Sequence, residues 1–136
     1  LAGARLLVVD DNEVNRIVAR AQLDAVGIAV DEAADGAQAV EMAGRGHYDL
    51  ILMDVHMPVL DGIEAARRIR RLDACRETPI IALTAAALVT ERDEALSAGM
   101  NDFLTKPVDA ERLHATLLRW CSGGGGTQRR LGRTGE

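Results

Sequence analysis

Aromatic residues are almost missing from this chain: Tyr48, Phe103 and Trp120 are the whole complement among 136 residues. The core must therefore be aliphatic, and a nucleic-acid surface would lack stacking platforms. Cysteine is equally sparse. Cys75 and Cys121 form no Cys-x-x-Cys pair and no metal-spaced cluster, which argues against a disulfide framework or a zinc site; two separate thiols suit a reducing compartment, as ordinary helix residues. No apolar run approaches the roughly 20 residues that span a bilayer, and no charged-then-apolar leader opens the sequence, so we expect a cytoplasmic segment with no membrane contact. Positive charge is also short. The formal net charge is −5, and Arg129, Arg130 and Arg133 against Glu136 give the tail after Cys121 a local +2, leaving −7 on residues 1–121. Such a domain repels nucleic acid unless another domain brings it there.

What is present is a 48% hydrophobic fraction, and a length that suits one domain with a real core. Short apolar runs alternate with stretches of helical spacing. Arg5–Val9 reads as a strand, and Asn12 to Val26 as a helix with Val14, Ile17, Val18, Ala21 and Val26 as its apolar stripe and Gly27 as its stop. Ile28 to Glu32 is a second strand. Asp35 caps a helix through Ala37, Val40 and Met42 that dissolves at Gly44–Gly46. The Leu50–Met53 run stops on Asp54, followed by a loop with Pro58 and the Asp61-Gly62 pair. A helix on Ile63, Ala66, Ile69 and Arg70 closes before Thr78-Pro79, because the residue before a proline is pushed out of helical space. Ile80–Leu83 is a strand; Thr90 caps a helix rich in early acids and ended by Gly99; Asp102–Thr105 is the fifth strand; Asp109 caps a last helix on Leu113, Leu117 and Leu118. From Ser122 the chain reads Gly123–Gly126 and then polar and arginine-bearing, which we expect to be a disordered tail or linker, residues 122–136. With no output domain after it in these 136 residues, we expect either a stand-alone unit or a domain of a larger protein.

Five strands alternating with five helices predict an α/β domain over residues 1–121: a (βα)5 parallel sheet with helices on both faces and the flavodoxin-like order 2-1-3-4-5. That order puts the topological switch point between the first and third strands, where ligands of open α/β sheets bind. The first, third, fourth and fifth strands each deliver a polar group at that edge: Asp10 and Asp11, Asp54, Thr84, and Lys106. Three carboxylates within about 5 Å repel by roughly 1 to 4 kcal/mol per pair, so something must compensate them. An all-oxygen site without a His or Cys cluster favours a hard ion, Mg²⁺. Lys106 adds a point charge suited to phosphate, and Thr84 a hydroxyl. A carboxylate can itself be the nucleophile and form an acyl phosphate, for which positioning and charge neutralisation suffice; Asp54, at the centre, is the candidate.

These motifs resemble the response-regulator receiver domain of two-component signalling: Val9-Asp10-Asp11-Asn12; Met53-Asp54 with Pro58 and Asp61-Gly62; Leu83-Thr84-Ala85; Lys106-Pro107. The resemblance spans roughly residues 4–121. It implies a phosphoacceptor at Asp54, modified by a phosphohistidine on a histidine kinase or histidine phosphotransfer domain. It further implies Mg²⁺ on Asp11, Asp54 and the backbone carbonyl of His56, Asp10 acting directly or through water, and a Thr84 and Phe103 switch moving the face of the fourth helix, fifth strand and fifth helix. Phe103 also reads as core. The run Asp10-Asp11-Asn12-x-x-Asn15-Arg16 is closest to receivers of hybrid sensor histidine kinases. Such a domain modifies itself rather than turning over substrate; oligomeric state is not legible.

Taken alone, an Asp-Asp pair at a strand end is a cap or turn, His56 is a loop side chain near the site, and His47 and His114 are surface or helix residues; the joint pattern favours the site. The alternative is an aspartyl-nucleophile phosphohydrolase. It needs a second aspartate two residues past the nucleophile, where His56 stands, and a cap segment for which no stretch is long enough. A flavodoxin-like cofactor binder would need a phosphate loop where the carboxylates lie.

Overall fold

The computed structural model describes residues 3–55, 61–72, 75–84, 89–105 and 109–121. In chain order these form β1 (Arg5–Val9), α1 (Glu13–Asp24), β2 (Ala29–Ala33), α2 (Gly36–Arg45), β3 (Leu50–Asp54), α3 (Gly62–Arg70), β4 (Ile80–Thr84), α4 (Val89–Ser97), β5 (Asp102–Thr105) and α5 (Ala110–Cys121). The strands pair in parallel in the order β2-β1-β3-β4-β5, as the alternation of elements predicts.

Strand alternation divides the core in two. Leu7, Val9, Ile51, Met53, Ile80 and Ala82 point to the face covered by α2, α3 and α4, whose contact residues are mostly alanines: Ala39, Ala43, Ala65, Ala66 and Ala95, with Ala98 just past α4. Small side chains let these helices lie close to the sheet. Leu6, Val8, Leu50, Leu52, Ile81 and Leu83 point the other way, onto Leu23 of α1 and Leu113 and Leu117 of α5. β3 and β4 are buried along their whole length, which is why they read as continuous apolar runs.

Several local expectations shift. β2 sits one residue later than expected, and α1 ends at Asp24, with Gly27 at φ 81 beyond it. α3 ends at Arg70, well before Thr78. α4 begins at Val89, so Thr90 lies inside it and is not its cap. Leu118 is exposed while Leu113 and Leu117 are buried. The largest departure is α1: its buried residues are Ala19 and Leu23, whereas Val14, Ile17 and Val18 are 65%, 57% and 47% exposed. The orientation follows polar contacts. Arg16 Nε lies 3.1 Å from Glu32 Oε1, Arg20 also pairs with Glu32, and Arg20 Nη2 donates to the Val30 carbonyl at 2.9 Å, so the arginine side of α1 faces β2 and the apolar stripe faces outward. Among the described residues no helix is long and apolar enough to cross a membrane. The tail 122–136, His56, Pro58, Leu88, Lys106 and Pro107 lie outside the described residues.

Candidate functional site

Three adjacent strands end together. β1 runs into Asp10 and Asp11, β3 ends on Asp54, and one carboxylate oxygen from each of these residues lies within 4.8 Å of the others. Asp10 and Asp54 are buried and Asp11 is exposed. The register explains the meeting: Val9 pairs with Met53, which brings Asp10 level with Asp54, and Asp54 pairs with Leu83, which sets buried Thr84 one step further towards the same edge. Thr84 pairs in turn with Thr105, the residue before Lys106. Phe103 sits on β5 opposite Ala82, partly buried against the α2–α4 core, which satisfies its core reading. His47 and His114 are exposed and away from the cluster, as expected.

The residue after Asp54 is tied on both sides. Val55 N–H donates to the Leu83 carbonyl, and Gly62 N–H donates to the Val55 carbonyl, both at 3.0 Å, linking the end of β3 to β4 and to the start of α3. Asp61 caps α3 by accepting from Glu64 N–H at 2.9 Å. Gly62 is not in the left-handed region; a Cβ there would stand 2.0 Å from the Asp54 carbonyl oxygen and 2.9 Å from Val55 Cα, so the position needs glycine for space rather than conformational freedom.

Asp10 is fixed from α1. Its Oδ1 accepts the Asn12 N–H at 2.9 Å, its Oδ2 accepts Asn15 Nδ2–H at 3.2 Å, and its carbonyl accepts Arg16 Nη1–H at 2.7 Å. Asn12 at the same time caps α1, accepting from Val14 and Asn15 N–H. Sequence reasoning used Asn15 and Arg16 only as a family signature and missed these contacts. The signal was available: five residues past Asp10, just after the Asn12 cap, is where the first turn of a helix returns beside the strand end.

Two buried carboxylates and one exposed carboxylate within 4.8 Å form a compact oxygen-only cage. Its donor set fits a hard divalent cation of Mg²⁺ type, which takes a few carboxylates and keeps waters in its remaining positions. Asp11 is exposed, so among the described residues the cage meets solvent on that side.

Comparison with known proteins agrees with this geometry. The response regulator receiver domain family matches residues 6–118. The signal transduction histidine-protein kinase BarA of Escherichia coli (strain K12) is 43% identical over 120 residues, covering 88% of this chain but only 13% of BarA. The two-component response regulator ORR41 of Oryza sativa subsp. japonica is 44% identical over 120 residues, 85% of this chain and 93% of that protein. The receiver domain of the sensor histidine kinase PA1611 from Pseudomonas aeruginosa PAO1, solved with a magnesium ion in its active-site cleft, superposes with a TM-score of 0.84 at 49% identity, covering 90% of this chain and 100% of that one. The receiver domain of Ssk1 from Saccharomyces cerevisiae, co-crystallised with the histidine phosphotransfer protein Ypd1, gives 0.81 at 34% identity, with 88% and 89% covered. With the sheet order, the strand-end acid cage and a family match that spans the whole (βα)5 unit all in agreement, the chain belongs to the response regulator receiver domains of two-component signalling.

Proposed function

We propose that Asp54 accepts a phosphoryl group from a phosphohistidine, with Mg²⁺ held by Asp10, Asp11, Asp54 and, by the family resemblance, the backbone carbonyl of His56. The observation that carries this is the acid cage itself: two buried aspartates at adjacent strand ends and an exposed third, all within 4.8 Å. Bound there, Mg²⁺ offsets the carboxylate repulsion and the charge of the incoming phosphoryl oxygens. An Asp54 carboxylate oxygen attacks phosphorus in line with the donor's P–N bond; a P–O bond forms on Asp54, the P–N bond breaks, and its electron pair stays on the imidazole nitrogen. The ties of Val55 to Leu83 and Gly62 hold the end of β3 for this attack. Thr84 donates its hydroxyl and Lys106 its ammonium to the new phosphoryl oxygens, and Phe103 follows Thr84 as the switch. The product stays on the chain, so the domain is a phosphoacceptor rather than a turnover enzyme.

The donor is a histidine kinase or a histidine phosphotransfer domain. A protein that places phosphohistidine over Asp54 must approach the cage, and α1, which begins two residues after Asp11, offers it the exposed Val14, Ile17 and Val18. Residues 1–121 act as the receiver, on the cytoplasmic side, with 122–136 as a linker, in a parent chain of hybrid histidine kinase type. With a phosphorylated histidine phosphotransfer domain as donor, Ile17→Ser should slow transfer about tenfold, the loss of one buried interface anchor. Phosphorylation by acetyl phosphate should be unchanged. No slowing with the protein donor, or equal slowing with both, contradicts the α1 assignment.

A further inference from the structure

We infer that Asn15 is a positioning residue for the acid cage, setting its affinity for Mg²⁺ by holding Asp10. The inference rests on the cage reading above. Asp10 is 1% exposed, and its backbone is tied on two sides: its N–H donates to the Ala33 carbonyl at 3.2 Å and its carbonyl accepts Arg16 Nη1–H at 2.7 Å. Arg16 is itself fixed by Glu32 at 3.1 Å. The main chain is therefore anchored, and the orientation of the carboxylate is set by its own partners. Two of these are donors at the start of α1. One, the Asn12 N–H on Oδ1 at 2.9 Å, is a backbone contact that almost any residue at position 12 would make; the other, Asn15 Nδ2–H on Oδ2 at 3.2 Å, is a side-chain contact peculiar to asparagine at position 15.

These donors hold the two oxygens of a carboxylate that belongs to the cage shared with Asp11 and Asp54. They also draw charge from a carboxylate that two others repel. Without Asn15, Oδ2 loses this donor and Asp10 is held less tightly, so an ion that binds must do more of the fixing. Partners that orient a ligand in this way typically change metal affinity by about 10- to 100-fold, and an exposed amide such as Asn15 belongs at the lower end.

The test is calorimetric titration of the parent, Asn15→Leu and Asn15→Gln with Mg²⁺, alongside thermal melts of each without metal. Leucine keeps the bulk and removes the donor; glutamine keeps the donor on a longer arm. We expect Asn15→Leu to bind Mg²⁺ about tenfold more weakly, Asn15→Gln to recover part of the loss, and the metal-free melts to differ by no more than the loss of one exposed hydrogen bond, since Asn15 is exposed and buries nothing. Equal Mg²⁺ affinity in the parent and Asn15→Leu overturns the positioning role while leaving the cage intact. So does a loss that Asn15→Gln does not recover at all. A parent that binds no Mg²⁺ overturns the cage reading as well.

Discussion

Asp10 and Asp11 are neighbours in sequence with different surroundings, and substitution should separate them. Asp11 is exposed, and its contribution to the metal-free cage is chiefly repulsion of the other two carboxylates. Asp11→Ala should therefore weaken Mg²⁺ binding while raising metal-free stability by about 1 kcal/mol. Asp10→Ala should weaken Mg²⁺ binding too, but without that gain, because it removes the acceptor of the Asn12 and Asn15 N–H groups. Urea unfolding of both variants without metal reads the difference; equal stabilisation by both would contradict the hydrogen-bonded role of Asp10. Strand-end acids were legible in the sequence because chemistry-bearing residue types interrupt apolar runs. The donors that aim them were not, since an asparagine in a first helical turn looks like any surface residue until the helix is set beside the strand.

At the scale of elements, the site is built by β1, β3 and β4, and two surfaces lead away from it. α1 turns its apolar stripe outward, while α4, β5 and α5 lie beyond Thr84. On the proposed function a phosphoryl group on Asp54 would give Thr84 and Lys106 new acceptors, and a two-state equilibrium moves only by the difference in affinity that such contacts supply. Beryllofluoride, which mimics the acyl phosphate, should shift backbone amide resonances of α4, β5 and α5, including the surroundings of Phe103, and spare α2. Thr84→Ala should bind beryllofluoride yet show a blunted response on that face. A silent α4–α5 face in the parent, with changes confined to the cage loops, would leave a phosphoacceptor without a switch, as in a relay intermediate. Periodicity found each helix but misjudged the roll of α1: it counts apolar residues, whereas the roll follows Arg16 and Arg20 reaching Glu32 across to β2.

For the whole molecule, the sheet order was legible because five buried or half-buried runs separated by helices leave few right-handed parallel arrangements. Boundaries were less so: α4 starts one residue before the Thr90 cap signal, and α3 ends where a turn rather than the proline stops it. Away from the site, Tyr48 donates its hydroxyl proton to Asp31 at 2.7 Å, and burial, with that bond and the Asp31 charge, pushes its pKa from 10.0 to about 12. The folded state thus holds this proton more tightly than the unfolded chain, so Tyr48's contribution to stability is complete below pH 10.0 and is lost as pH rises towards about 12. As Tyr48 is the sole tyrosine, phenolate absorbance follows it directly. A midpoint near 10 in the folded protein would contradict the Asp31 contact.

The most direct measurement of the central claim is the intact mass after incubation with acetyl phosphate and Mg²⁺. We expect a gain of one phosphoryl group, located on Asp54, dependent on Mg²⁺, released by hydroxylamine as acyl phosphates are, and absent in Asp54→Asn. A phosphoryl adduct that persists in Asp54→Asn, or that forms equally with Mg²⁺ chelated, would contradict it.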